Sequence, residues 1–227
     1  MWPPSPRVGL GSTGLIPNKE DRTFVRNSTQ KVTLIGWAHC PNAMATSKTA
    51  SFWLTESIDL TALATAVQST IDLGAYVDVG DQQAVAIEQV DMILQSHDTA
   101  NDTYSNTIAG ILTDNGNFGM QLTDLNPGTA FVRADDNTLI ASGSVYFDDA
   151  NYIASTGPDL YPDTFGKINE SRLVVNDNLY LVARCNSPGA FVADRAATMT
   201  LRIKARIVKL STKDWMAIAI QSTAADN

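Results

Sequence analysis

The chain has 227 residues, of which 44% are hydrophobic and 18% charged, and its formal net charge is −8. That length and apolar content suffice for one large all-β domain with a substantial core, while the acidic balance argues against a molecule that binds nucleic acid through its overall charge. No run approaches the ~18 apolar residues of a membrane-spanning helix, and the opening MWPPSPRVGLGSTG lacks the apolar centre of a secretory signal, so export by that route is not expected.

Residues 1–30 carry three early prolines, several glycines and no hydrophobic period, which predicts an extended arm. The arm is mildly basic, with Arg7, Lys19, Arg22 and Arg26 against Glu20 and Asp21. So little charge suits an arm that lies along a neighbouring subunit better than one that neutralises nucleic acid. Residues 31–227 read as the folded domain. Strands are predicted at Lys31–Trp37, Ser51–Thr55, Thr70–Val79 and Ala84–Leu94. In the last of these, Val85 and Ile87 share one face and Val90, Met92 and Leu94 share the next register, which predicts a β-bulge between Glu88 and Gln89. Ser57–Gln68 places Leu60, Leu63, Ala64 and Val67 at helical spacing behind Ser57, so a helix is expected there. Further strands are expected at Asn106–Leu112, Gly128–Arg133, Leu139–Phe147, Arg172–Val175, Leu179–Arg184, Met199–Leu210 and Trp215–Gln221, separated by turns rich in Asn, Asp and Gly. With no βαβ rhythm and no repeat, the fold class is all-β: an antiparallel β-sandwich, as a single jelly roll, with an extended N-terminal arm.

Charge is unevenly distributed. No lysine or arginine lies between Thr49 and Val132, which hold eleven acids, whereas Arg195–Lys213 holds six basic residues and no acid. Within the basic run, MTLRIKARI (199–207) alternates strictly, so Arg202, Lys204 and Arg206 share one outward strand face. Three partners fit that face: an acidic strand of the same sheet, a second copy of the chain, or a phosphate-bearing molecule. The candidate subunit-contact residues are accordingly Arg7, Arg22 and Arg26 in the arm and Arg202, Lys204 and Arg206 on the strand.

Catalytic and metal patterns are weak. The only histidines are His39 and His97, no GxSxG elbow occurs, and Cys40 neighbours His39 where adjacent strand residues face opposite ways. Asp114-Asn-Gly-Asn begins like a calcium loop, but Leu125 stands where the twelfth position needs Glu, so it reads as a turn. Asp135-Asp136 and Asp148-Asp149 read as solvated turns, with calcium at a subunit contact the alternative. Trp37, Trp53 and Trp215 lie in apolar stretches and read as core or interface rather than a sugar platform. Cys40 and Cys185 belong to no metal spacing and read as buried thiols, with a disulfide between them the alternative. Three glycosylation sequons, at Asn27, Asn101 and Asn169, fit chance in an Asn- and Thr-rich chain. An enzyme is not expected, nor a cofactor.

The stretches TIDLGAYVDVGDQQAVAIEQVDMIL and TMTLRIKARIVKLSTKDWMAIAIQ, with SGSVYFDDANYIAS and RLVVNDNLYLVARCN between them, resemble the jelly-roll major capsid proteins of icosahedral viruses of archaea and other prokaryotes. The resemblance spans roughly residues 69–221. It implies a structural virion protein, made in the host cytoplasm, that self-assembles into a shell with copies of itself and other virion proteins. It implies no strong nucleic-acid binding, and the weakly basic arm suits a particle with an internal membrane or scaffold. The alternatives are a carbohydrate- or receptor-binding β-sandwich of a spike or tail, and an extracellular filament subunit assembled by strand donation.

Overall fold

The computed structural model describes residues 45–106, 110–156 and 172–224. All of them belong to one unit, Cys40–Asn227. The arm, the boundary expected near residue 30 and the strand expected at Lys31–Trp37 lie outside the described residues, as do Trp37, His39 and Cys40.

Two antiparallel sheets face each other. In the first, β11 (Arg195–Lys209) lies between β2 (Phe52–Leu60) and β4 (Gln83–Asp98), and β9 (Arg172–Val174) pairs on the far side of β4. Two short strands extend it: β1 (Thr46–Ser47) on β11 and β5 (Thr103–Ser105) on β4. In the second sheet, β3 (Ala66–Asp72), β10 (Asn178–Asn186), β6 (Gly116–Thr123), β7 (Leu139–Asp148) and β8 (Ile153–Thr156) follow in that order. Leaving aside β1, β5 and β8, the first sheet holds the first, eighth, third and sixth main strands, and the second holds the second, seventh, fourth and fifth. That alternation between sheets is a jelly roll, in agreement with the expected class.

The core follows from period-two alternation. Met199, Leu201, Ile203 and Ala205 of β11 and Leu179, Leu181, Ala183 and Cys185 of β10 point into one apolar cluster with Ile58, Leu60, Val85, Ile87, Val90, Phe118, Met120 and Leu122. The expected bulge is present: Lys204 stands opposite Gln89 and Ala205 opposite Ile87, so Glu88 has no partner across β11. The extra residue keeps Ile87 and Val90 on the core side although an odd number of positions separates them.

Four expectations are corrected. Ser57–Gln68 is not a helix but the end of β2, a turn and the start of β3. Ile58 and Leu60 alternate into the core, Ser57 and Asp59 pair outward with Thr200 and Thr198, and Ala64 takes a left-handed backbone (φ 56°) to reverse the chain. Trp215–Gln221 is not a strand but part of α1 (Thr212–Ala224). Ser211 caps it, accepting a bond from the Asp214 N–H at 3.2 Å, and Trp215, Ile218 and Ala219 recur at helical spacing to cover Ala84, Ala86 and Val208 on the outside of the first sheet. The third strand ends at Asp72 rather than running to Val79, because Asp72 Oδ1 accepts the Gly74 N–H at 2.8 Å and turns the chain. Gly128–Arg133 is loop. Its hydrogen bonds come from a side chain instead of a strand: Gln121 Oε1 accepts the Val132 N–H at 2.8 Å, and Gln121 Nε2 donates to the Val132 carbonyl at 3.1 Å. Conversely, β6 is not among the expected strands, since Asp114-Asn-Gly-Asn-Phe-Gly reads as a turn. Gly119 is needed there because a Cβ would come within 2.7 Å of the Phe131 ring laid across the sheet.

The sheets are tied at one end by a buried pair. Arg172 of β9 donates through Nη2 to Asp124 Oδ2 at 3.1 Å and to the Asn137 carbonyl, joining the first sheet to the loop that follows β6. Asp124 is 3% exposed, and burial pushes its carboxyl above the ordinary range despite the Arg172 charge beside it.

Candidate association surface

The outward face of β11 carries Thr198, Thr200, Arg202, Lys204 and Arg206, with β2 on one side and β4 on the other. The structure treats its three basic residues differently. Arg206 forms an ion pair with Glu88, the bulge residue, and donates to Ser51 Oγ at 3.3 Å, while Ser51 Oγ donates to the second Glu88 oxygen at 2.8 Å. The bulge therefore delivers an almost fully buried carboxylate to the basic strand, and the charge of Arg206 is neutralised within its own chain.

Arg202 stands opposite Asp91 on β4 and Thr55 on β2, but its guanidinium lies over the Trp53 ring, 4.7 Å from the centroid. The Asp91 carboxylate instead accepts from Gln89 Nε2 at 2.7 Å. Lys204 sits between Trp53 and Gln89. Among the described residues neither Arg202 nor Lys204 has a carboxylate within ion-pair distance. The result is a cationic and aromatic patch on the outer sheet face, with Arg202 exposed and Trp53 43% exposed. Trp53 is thus outward rather than core, because β2 alternates and Phe52 and Leu54 take the inner side. Trp215 is half-buried on the inner side of α1, against the first sheet.

Other expected residues fall elsewhere. Arg7, Arg22 and Arg26 lie outside the described residues. His97 Nε2 sits 3.1 Å from Asp102 Oδ1, and its ring stacks on Tyr104 with centroids 4.4 Å apart, at the β4–β5 hairpin. Asp98, in the same hairpin, is held below the ordinary carboxylate range, first by the Asn101 side-chain bond, with Arg195 contributing at 3.5 Å. Asp136 Oδ1 accepts both bonds of Thr138, Asp135 pairs with Arg133, and Asp148 accepts two bonds from Asn151. Each closes a turn of its own chain. Among the described residues no group of three His, Cys, Asp or Glu is arranged to hold a metal, and no helix is long and apolar enough to cross a membrane.

The end of the sandwich that holds the β4–β5 hairpin is acidic. The loops at the β6 start, the β4–β5 hairpin, the β7–β8 hairpin and the β10–β11 connection carry Asp98, Asp102, Asp114, Asp148, Asp149 and Asp194 against Arg195 alone. The cationic patch and the acidic end are therefore separate surfaces of one molecule.

Cys185 is a free thiol buried in the core, and burial pushes it up to about 12. It is expected to resist alkylation by iodoacetamide at pH 8 in the native protein and to react on unfolding in guanidinium. Labelling of Cys185 in the native state, read by peptide mass spectrometry, would contradict that burial.

No family model matches the sequence, and no curated protein matches it. Among solved structures, the chain is similar to Merkel cell polyomavirus VP1 in complex with GD1a oligosaccharide (6% identity, TM-score 0.37), covering 74% of this chain and 98% of that one. It is similar to trichodysplasia spinulosa-associated polyomavirus VP1 in complex with GM1 oligosaccharide (8% identity, TM-score 0.36), with coverage of 74% and 98%. It is also similar to the empty head of turnip yellow mosaic virus (9% identity, TM-score 0.26), with coverage of 84% and 93%. With TM-scores this low, these likenesses carry no weight for function.

Proposed function

We propose that this chain is a structural virion protein whose jelly roll is a building block of a capsid shell and associates with further copies through its outer surfaces. The observation that carries the reading is the Arg202–Trp53–Lys204 patch, left without a carboxylate on a sheet face whose neighbouring Arg206 is neutralised internally. A guanidinium stacked on an exposed indole, with a second cation on the same strand face, is a surface suited to desolvation against another molecule. The acidic loops at one end of the same barrel provide complementary charge on a second copy. The arm over residues 1–30, with Arg7, Arg22 and Arg26, adds a second contact by lying along a neighbouring subunit. A prokaryotic host, contact with an internal virion membrane and partnership with other virion proteins rest on the sequence resemblance alone.

Light scattering and negative-stain electron microscopy of the native protein test this directly: shells, rings or capsomers are expected. Arg202→Glu with Lys204→Glu is expected to weaken association about tenfold or more while leaving the melting temperature within a few degrees. Deletion of residues 1–30 is expected to weaken assembly and leave the domain folded. A monodisperse monomer at all concentrations overturns the proposal. The exposed Trp53 ring favours one second reading, a carbohydrate-binding module. A monomer that binds on a glycan array and loses binding on Trp53→Ala establishes it.

A further inference from the structure

The buried side of α1 is accounted for by Trp215, Ile218 and Ala219, which cover Ala84, Ala86, Val175 and Val208. Its other side is also apolar. Lys213, Met216, Ala217 and Ile220 follow i, i+3, i+4, i+7 spacing, so they share one face. That face is exposed, with Met216 54% and Ile220 63% accessible. A helix apolar on both sides is built to be covered twice.

The second large exposed apolar group is on the β7–β8 hairpin. Tyr146 is 49% exposed, Tyr152 71% and Ile153 58%, and Asp148 and Asp149 lie beside them. Tyr152 adopts a left-handed backbone (φ 54°) in the turn between β7 and β8.

The two groups lie at opposite ends of the barrel. The helix begins where β11 ends, next to the start of β4, since the Leu210 N–H bonds the Gln82 carbonyl at 3.0 Å. That end of the first sheet is joined by Arg172–Asp124 to the Thr123 end of β6. The hairpin hangs from the other end of β6, where Gly116 pairs with Phe147. They cannot meet within one copy, yet they complement each other: apolar with Lys213 on one, apolar with Asp148 and Asp149 on the other.

We infer that the exposed face of α1 in one copy seats on the β7–β8 hairpin of a second copy, placing Met216 and Ile220 against Tyr152 and Ile153 and Lys213 toward Asp149. The inference rests on the self-association proposed above and names its geometry. Two different patches meet, so the contact is head-to-tail and propagates into a ring or lattice instead of stopping at a two-fold dimer.

The test uses the full chain. Met216→Asp is expected to weaken self-association at least about tenfold, read by sedimentation, with an unchanged melting curve because Met216 packs in neither core cluster. In a Cys40→Ser background, mixing Met216→Cys protein with Ile153→Cys protein under mild oxidation is expected to yield a 216–153 disulfide between copies, identified by mass spectrometry. Native protein that associates, with no such disulfide and a Met216→Asp variant that associates normally, overturns this docking and leaves the self-assembly reading standing. Native protein that stays monomeric overturns both.

Discussion

Replacing Arg206 by Glu is expected to lower folding stability by about 3–5 kcal/mol, because it leaves Glu88 buried without its cation and adds a like charge beside it. Glu88 is 7% exposed and reaches Arg206 of β11 because the bulge turns it outward. Its second oxygen is held by Ser51, so the carboxylate cannot swing to solvent without losing that bond as well. Replacing both partners by apolar residues, Glu88→Leu with Arg206→Met, is expected to recover most of the loss, since the desolvation cost of both charges is removed. Chemical denaturation of the two singles and the double gives the coupling. Loss below about 1 kcal/mol for Arg206→Glu would show that the pair behaves as an exposed one. The contrast with Arg202 and Lys204 is the point of the experiment: reversing those two should spare stability and reduce association.

Arg172→Met is expected to cost a similar amount, about 3–5 kcal/mol, at neutral pH. Arg172 is the residue through which β9 of one sheet grips the loop after β6 of the other, and its removal leaves Asp124 buried at 3% exposure and strands the Asn137 carbonyl. The pH dependence has a definite sign. Burial raises Asp124 above its ordinary 3.8, so over the range just above 3.8 the folded chain holds a proton that the unfolded chain has released. The contribution of this group to stability therefore falls as pH rises through that range and is recovered on acidification. Removing Arg172 takes away the charge that opposes the rise. The deficit of the variant is expected to be largest at neutral pH and to shrink as the pH falls toward 4, and Asp124→Asn added to Arg172→Met should flatten the difference. Thermal melts across pH 4–8 read it. An equal deficit at every pH would rule out Asp124 as the buried charge involved.

The residue pattern alone determined the sandwich, the basic outward face of β11 and the bulge at Glu88. Each is a period-two property: alternation states which side of a strand is apolar, and a change of phase states where an extra residue sits. Arg202, Lys204 and Arg206 were legible as a group for that reason, but not as two kinds of residue. Their division depends on Glu88 arriving from β4 and Trp53 from β2, contacts across the sheet that no local spacing encodes. Ser57–Gln68 shows the same limit. Leu60, Leu63, Ala64 and Val67 fit a helix locally, and it is pairing with β11 and β10 that draws Leu60 and Val67 into strands and leaves Leu63 and Ala64 in the turn between them. Trp215–Gln221 errs the other way: a β-prone run became a helix because Ser211 caps it and the outer face of Ala84, Ala86 and Val208 needed cover. β6 stayed hidden because its glycines and asparagines look like turns until Phe131 is seen lying over Gly119. The exposed apolar faces of α1 and of the β7–β8 hairpin emerge only from tertiary structure, since exposure is decided by what the rest of the chain leaves uncovered.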